Sequence, residues 1–203
     1  MCGRASQRGK REDFRNYIYH FDPPGDIDRG NIKPTQEVLI VANDRDEIET
    51  VEANWWCQYD NAKEFSTKYT TFNANIEKLE KSPLWRNLLK HKRCVMPVTS
   101  FYEWPEKGKP PLEIYANGGH PFGLAGLWST WYDNGEPKRS FAVITTQAND
   151  FMKQYHHAMP VVLESKDLQK AWLLEGGMDI LRGFDCSLYG ERLGDKIEKV
   201  YPD

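Results

Sequence analysis

The feature of this sequence that most limits its fold is a run of short extended segments between residues 93 and 146. Each segment is rich in β-branched, aromatic and apolar residues, and Gly- or Asn-containing turns separate them, as is typical of neighbouring strands in a sheet. The predicted strands are 93–104, 112–116, 121–132 and 139–146, with turns at Lys107-Gly108, Asn117-Gly118-Gly119 and Asp133-Asn134-Gly135. Two earlier strands are predicted at 37–42 and 49–57, around the polar turn 43–46.

Helices are predicted between and after these strands. Ser82-Pro83 and Ser165 are typical of helix starts, and Gly176-Gly177 is typical of a helix end. The predicted helices are 11–20, 83–90, 148–155 and 166–174. Because they do not alternate strictly with the strands, the predicted fold class is α+β rather than a doubly wound α/β sheet.

The composition predicts one folded domain over residues 1–203. Hydrophobic residues make up 39% of the chain and aromatic residues 13%, which is enough for a core and excludes a disordered chain. Repeats and Ser/Gly linkers are absent from the sequence. No apolar run approaches the roughly 20 residues of a membrane helix, and no apolar stretch follows the first residues as in a secretory signal. A cytoplasmic protein without a membrane partner is expected.

The cysteine and histidine positions predict neither a metal site nor a disulfide framework. The four cysteines, at 2, 57, 94 and 186, show no C-x-x-C spacing, and no His pair follows them at zinc-finger intervals. His156 and His157 are adjacent, so their rings are expected to point apart on either a strand or a helix. The cysteines are therefore interpreted as reduced thiols, and no metal or cofactor is expected.

The charge is distributed unevenly along the chain. The formal net charge is −3, yet residues 1–15 carry a balance of +3 and residues 78–110 a balance of +5. If these two stretches meet in space, they can present one cationic face to a polyanion. If they do not meet, they are ordinary solvated surfaces, and the sequence favours neither arrangement.

Cys2 is the candidate residue with the most specific chemistry. Removal of Met1 would give it a free α-amine and a thiol on adjacent carbons, with ordinary pKa values of roughly 7.7–8.0 and 8.5. Such a 1,2-aminothiol condenses with an aldehyde to a five-membered thiazolidine, and it can also act as an N-terminal nucleophile in acyl transfer. The alternative is an incidental cysteine at the second position.

Three further residues are candidates for proton transfer or orientation. Glu103 lies on the opposite face of a predicted strand from Tyr102 and Trp104, where burial would raise its carboxyl pKa. His156 precedes an apolar strand and could shuttle protons, or it could be a helix C-terminal residue. Asn73 could orient an amine or a carbonyl, or it could cap a helix.

Seven short motifs occur in a specific order along the chain. Each motif alone is too unspecific to indicate a family, but the ordered set does indicate one. The motifs are Met1-Cys2-Gly3-Arg4, Asn31-Ile32-Lys33-Pro34-Thr35-Gln36, Asn73-Ala74-Asn75-Ile76-Glu77, Phe101-Tyr102-Glu103-Trp104, Gly123-Leu124-Ala125-Gly126-Leu127-Trp128, Thr145-Thr146-Gln147-Ala148-Asn149 and the stretch from His156 to Leu163. The set resembles the SOS response-associated peptidase (SRAP) family, over residues 1 to about 165.

The resemblance implies a curved, barrel-like mixed sheet with peripheral helices. It also implies loss of Met1 and a thiazolidine crosslink between Cys2 and the aldehyde of an abasic site in single-stranded DNA. By the same resemblance, Asn73 of this chain would position the amine or the sugar. Glu103 would shuttle protons during Met removal and sugar ring opening, and His156 would assist imine formation and crosslink reversal. The residues expected to contact DNA are Gly3, Arg4, Asn75, Arg86 and Trp104. A monomer that is nucleoid-associated when bound to DNA is expected.

The chain departs from the family pattern at positions expected to contact DNA. Asn75 and Ala158 stand where the family usually has arginine, which should lower the salt dependence of binding by roughly 0.7 per lost phosphate contact on a single strand. Trp55-Trp56 stands where the family usually has Trp-Gly, and the Pro-x-Trp that normally follows is absent. The four expected catalytic residues are unaffected by these changes.

Two alternative functions remain open on the sequence. One is an N-terminal-nucleophile peptidase or amidohydrolase that acts on an external amide through Cys2, Glu103 and His156. The other is a non-catalytic single-strand binder that uses the aromatic residues and the two basic stretches. The second alternative leaves Cys2 and Glu103 without a role.

Overall fold

The chain forms two sheets, which include the strands predicted from the turn pattern and others that were not predicted, among them Ala5–Gly9. A computed structural model describes residues 2–45, 47–105, 108, 110–182 and 186–192 of the chain. The strands are β1 Ala5–Gly9, β2 Ile27–Ile32, β3 Glu37–Asp44, β4 Glu47–Asn54, β5 Asn73–Asn75, β6 Arg93–Val98, β7 Ser100–Glu103, β8 Leu112–Tyr115, β9 Phe122–Asp133, β10 Glu136–Gln147, β11 Ala158–Pro160, β12 Val162–Leu163 and β13 Tyr189–Arg192. The helices are α1 Arg11–Tyr17, α2 Pro83–His91, α3 Lys166–Leu174 and α4 Met178–Arg182.

Five of the strands close into a barrel. Neighbours in the order β4, β3, β6, β9 and β10 are hydrogen-bonded, and β10 pairs back onto β4 at Ser140 and Asn54. This closing pair is parallel, whereas the other four pairs are antiparallel, so the sheet is mixed. The second sheet is antiparallel, in the order β13-β8-β7-β1-β2. The α+β class and the barrel-like mixed sheet are confirmed.

The hydrophobic core has two parts. One cluster contains Cys2, Phe101, Phe122, Trp128 and Phe141, and it therefore joins the N-terminal segment and the second sheet to the barrel. The other packs the helices onto the barrel through residues such as Phe14, Trp85 and Trp172. The first cluster buries the residue that would carry the nucleophile.

Two sequence predictions of secondary structure were wrong, and both failures have a tertiary cause. The predicted strand 93–104 is interrupted at Thr99, where the chain leaves the barrel and joins the second sheet, and the Thr99 N–H donates to Ser6 O at 2.8 Å. The predicted helix 148–155 is only a 3-10 turn, Met152–Gln154. Because β10 and β11 are antiparallel neighbours, with Gln147 opposite Ala158, the ten residues between them must reverse the chain.

The other three predicted helices are present; α3 has the predicted ends, and the C-terminal ends of α1 and α2 are shifted. The first ends at Tyr17 rather than residue 20, and the second extends to His91. Ser165 caps α3 as expected, because its Oγ accepts a hydrogen bond from Leu168 N–H at 3.2 Å. Ser82 precedes α2 but makes no side-chain capping bond. None of the helices in the described ranges has the length and apolar character needed to cross a membrane.

A buried arginine ties two helices to the barrel. Arg93, at the start of β6, is 7% exposed and donates to the carbonyl oxygens of Trp172 and Leu173 at the end of α3. The same guanidinium donates to Leu89 O and Lys90 O near the end of α2. A cation is favourable at a helix C-terminus, where carbonyl groups lack intrahelical partners. Arg93 therefore satisfies two helix ends at once.

Candidate active site

The N-terminal segment lies beside the strand that carries Glu103. Strand β1 pairs with β7, with Ala5 opposite Phe101 and Ser6 opposite Ser100. The ladder continues toward the N-terminus, because Tyr102 N–H donates to Arg4 O at 2.9 Å. Continued by two residues, the same register would place Gly3 opposite Glu103. The fold thus unites two motifs that are about one hundred residues apart in the sequence.

Asn73 holds Cys2 from the other side. Its Nδ2 donates to Cys2 O at 2.9 Å, while β5 itself is fixed by parallel pairing with β10, Asn73 opposite Val143. The buried Asn73 Oδ1 has no hydrogen-bond partner within the described ranges. The capping role that the sequence left open for Asn73 belongs instead to Asn75, whose Oδ1 accepts from Glu77 N–H at 2.8 Å.

Burial raises the pKa of both the Cys2 thiol and the Glu103 carboxyl group. Glu103 is 4% exposed, and this desolvation raises the pKa of its carboxyl group from its ordinary value to about 7. Burial also raises the pKa of the fully buried Cys2 thiol, and the nearby Glu103 charge adds to that rise. A hydrogen bond with the Arg4 backbone opposes it. The Glu103 carboxylate is therefore close enough to disfavour the charged form of the Cys2 thiol.

His156 is fixed by the turn before β11. Its backbone N–H donates to Met152 O at 2.8 Å, and its ring Nδ1 lies 3.0 Å from both the nitrogen and the oxygen of Ala158. Partial burial lowers the pKa of the imidazole, so the neutral ring is the main form at neutral pH. A neutral imidazole can accept a proton.

The expectation that the two histidine rings point apart was wrong. The rings of His156 and His157 stack with centroids 4.2 Å apart and planes at 29°. The expectation assumed a regular strand or helix, whereas both residues lie in the irregular connection between the 3-10 turn and β11. No group of three or more His, Cys, Asp or Glu suited to a metal ion occurs within the part of the chain that the structure describes.

Arg4 and Trp104 form one surface beside this site. The Arg4 guanidinium lies 5.5 Å from the centroid of the Trp104 ring, which is 39% exposed. Arg4 also donates to Asn31 Oδ1, and Asn31 adopts a left-handed backbone with φ of 49°. Sequence reasoning did not assign a role to Asn31, although it begins one of the quoted motifs. Gly3 is half-buried between Cys2 and Arg4.

The other expected DNA contacts are less closely connected to this surface. Asn75 is exposed, but its side-chain oxygen is engaged in the cap. Arg86 is exposed on α2, and no hydrogen bond, ion pair or ring contact among the described residues links it to the site. The N-terminal basic stretch is partly neutralised, since Arg8 pairs with Asp28 at 2.9 Å and Arg11 with Asp22 at 2.6 Å.

Comparison with known proteins shows which family this sequence resembles. The sequence model of the family described as SOS response associated peptidase (SRAP) matches residues 1–180. The abasic site processing protein YoaM of Bacillus subtilis is 34% identical over 180 residues, which cover 85% of this chain and 79% of the relative. The abasic site processing protein YedK of Escherichia coli is 28% identical over 184 residues, covering 85% of this chain and 79% of the relative.

Solved structures share the fold at lower sequence identity. A crystal structure of a protein from Bordetella bronchiseptica superimposes with a TM-score of 0.77 at 21% identity, covering 95% of this chain and all of the other. A protein from Bacteroides thetaiotaomicron gives a TM-score of 0.75 at 22% identity, covering 98% of this chain and 94% of the other. With the match over residues 1–180, the ordered motifs and the shared fold, the chain belongs to the SOS response associated peptidase family.

Proposed function

We propose that this protein processes abasic sites in single-stranded DNA by forming a thiazolidine between Cys2 and the aldehyde of the lesion. The observation that carries the proposal is the placement of a buried Cys2 between the Asn73 amide and a Glu103 carboxyl group whose pKa is about 7. The names of the relatives, abasic site processing proteins, support the choice of substrate.

The reaction requires prior removal of Met1, which lies outside the described residues. Water hydrolyses the Met1–Cys2 amide, releasing methionine and leaving a free amine on Cys2. The Asn73 Nδ2 bond goes to the Cys2 carbonyl, which is not the carbonyl that is cleaved. Asn73 can therefore hold Cys2 in one place before and after the cleavage.

Glu103 is suited to the ring opening that exposes the aldehyde. Near neutral pH a carboxyl group with a pKa of about 7 is present in both protonation states. Its acid form donates a proton to O4′ as the C1′–O4′ bond breaks, while the C1′ hydroxyl loses its proton to a base. The neutral imidazole of His156 is the candidate for that base.

The protonation of Cys2 predicts the order of the bond-forming steps. Burial raises the pKa of the thiol, so the thiol remains protonated at neutral pH and the amine is the first nucleophile. The amine adds to C1′ and water leaves, which gives an imine. The sulfur then bonds to C1′, and the thiol proton passes to the nitrogen. The sum is aldehyde plus aminothiol giving thiazolidine plus one water.

Arg4 and Trp104 are proposed to bind the strand on either side of the lesion. Arg4 would contact a phosphate, and Trp104, with its partly exposed ring, would stack on a base. The bond between Arg4 and Asn31 orients the guanidinium before DNA binds. Such preorganisation lowers the entropy cost of the contact.

A denaturing gel tests the proposal. Wild-type protein is incubated with single-stranded DNA that contains one abasic site, and we expect a shifted band that survives denaturation. Cys2→Ala should abolish the stable band, whereas Cys186→Ser, a change at the most exposed cysteine, should not. A wild-type sample without the band, or an equal band from Cys2→Ala, would contradict the proposal. Peptide turnover that Cys2 alkylation abolishes and DNA does not affect would favour an amidohydrolase instead.

A further inference from the structure

A groove of about 490 Å³ lies beside His156 and has no assigned role. We call it the His156 groove. It is bounded by Gln147 and Ala148 at the end of β10, by the turn residues Lys153 to Tyr155, and by the stacked pair His156-His157. The groove is open to solvent, and the imidazole that we place in the reaction forms part of its wall.

The turn that forms the groove is held by a set of short-range hydrogen bonds. Asn149 Oδ1 accepts from Met152 N–H at 3.0 Å, and Asn149 O accepts from Lys153 N–H at 2.9 Å. The other side is closed by Ala148 N–H, which donates to His157 O at 3.1 Å. Because His156 N–H also bonds to Met152 O, the backbones of Lys153 and His156 are fixed by the same turn.

Lys153 gives the His156 groove its positive charge. Apart from the two imidazoles, it is the one ionisable cationic side chain among the described residues that line the groove. Its Nζ lies 2.7 Å from Asp150 Oδ1, and the side chains are 64% and 96% exposed. Exposed ion pairs of this kind are weak, so another anion can displace the Asp150 carboxylate. Gln147 and Gln154 add neutral hydrogen-bond donors beside it.

We infer that the His156 groove binds a phosphate of the nucleotide strand next to the lesion, with Lys153 as the cation. This inference rests on the proposed function, because it takes the lesion sugar to lie at His156. Both phosphates flanking a sugar are covalently attached to it, so a strand whose sugar reaches His156 carries a phosphate on each side of a residue that itself lines the groove. Asp150 then acts as a competitor that occupies Lys153 when DNA is absent.

The inference predicts opposite effects for the two members of the ion pair. Lys153→Gln should weaken DNA binding and make the negative slope of log K against log salt shallower by roughly 0.7, the value for one phosphate contact on a single strand. Asp150→Asn should strengthen binding, because it removes the competing carboxylate. Lys170→Gln, a matched change at an exposed lysine on α3, should leave affinity and slope unchanged apart from a small long-range effect.

The test uses fluorescence anisotropy with a labelled single strand that carries a tetrahydrofuran abasic analogue, which lacks the aldehyde and cannot crosslink. Affinities are measured over a salt series for the wild type and the three variants. A second strand carries a neutral methylphosphonate at the 5′ or the 3′ side of the analogue. At one of these two sides, the losses from the methylphosphonate and from Lys153→Gln should be non-additive, because both remove the same contact.

A Lys153→Gln slope equal to that of the wild type, or additive losses at both flanking phosphates, would overturn the inference. Weaker binding by Asp150→Asn would also contradict it, since a merely structural pair would lose affinity on either change. Crosslinking of true abasic DNA by the wild type is measured in parallel. If crosslinking occurs while the slopes are equal, only the groove assignment fails. If crosslinking fails while the slopes differ, the proposed chemistry fails and the phosphate contact stands.

Discussion

Replacing the buried carboxyl group of Glu103 by an amide should stabilise the protein in a pH-dependent way. Burial raises the pKa of Glu103 from 4.5 to about 7, so the folded state holds this proton more tightly than the unfolded state. The contribution of Glu103 to the free energy of unfolding therefore falls as pH rises from 4.5 to 7 and is constant above that. Compared with a carboxyl group whose pKa is the same in both states, Glu103 lowers the free energy of unfolding by about 1 kcal/mol at pH 5 and about 3 kcal/mol at pH 8.

Glu103→Gln removes this ionisation, so the variant should gain about 2 kcal/mol more stability at pH 8 than at pH 5, relative to the wild type. For a chain of this length, about 3 kcal/mol corresponds to a rise in Tm of roughly 6–12 °C. The measurement is urea unfolding of both proteins at the two pH values, with the exposed-site variant Glu80→Gln as the control. An equal stability difference at both pH values would refute the reasoning that desolvation shifts this carboxyl group. The same variant should also crosslink abasic DNA more slowly, because it cannot donate or accept the proton.

Three changes away from the site test the packing that supports it, each by thermal or urea unfolding. Arg93→Ala should lower the free energy of unfolding by about 3 kcal/mol, because it leaves the carbonyl groups of two helix ends buried and unsatisfied. Arg139→Ala, at a half-exposed ion pair, should lower it by less than about 1 kcal/mol. Gly126→Ala should lower the free energy of unfolding by about 1–3 kcal/mol, since the added Cβ would lie 2.7 Å from a backbone oxygen of β10. Gly25→Ala, where the added Cβ would lie in open space, should change it by less than about 0.5 kcal/mol. Ser165→Ala should cost about 1 kcal/mol through loss of the α3 cap. Similar costs for the buried member and the exposed member of either matched pair would contradict these assignments.

The local pattern of turns was sufficient to predict most strands. Asn134 and Gly135 adopt φ of 51° and 89° at the hairpin between β9 and β10, and these are conformations that Asn and Gly favour. The division into two sheets could not be predicted, because β6 and β7 are separated by Thr99 alone and read as one apolar strand. That break is set by the contact of Thr99 with Ser6, more than ninety residues away.

The sequence predicted which residues belong to the candidate site, but not how they lie relative to one another in the fold. No spacing in the sequence indicates that β1 pairs with β7, so the proximity of Cys2 and Glu103 came from the family resemblance rather than from periodicity. The same limit applies to the two asparagines of the motif at 73–77. Either could cap the following turn, and the pairing of β5 with β10 directs Asn73 to Cys2 and Asn75 to the cap.

The central claim is that a terminal aminothiol on residue 2 captures the lesion. Intact mass spectrometry of the purified protein, before and after incubation with abasic single-stranded DNA, tests it most directly. We predict a chain lacking Met1, and an adduct whose mass is the sum of that chain and the DNA less one water. Because a thiazolidine contains no C=N bond, the adduct should resist borohydride reduction. A protein that retains Met1 and forms no adduct, or an adduct that borohydride reduces at a lysine, would contradict the account.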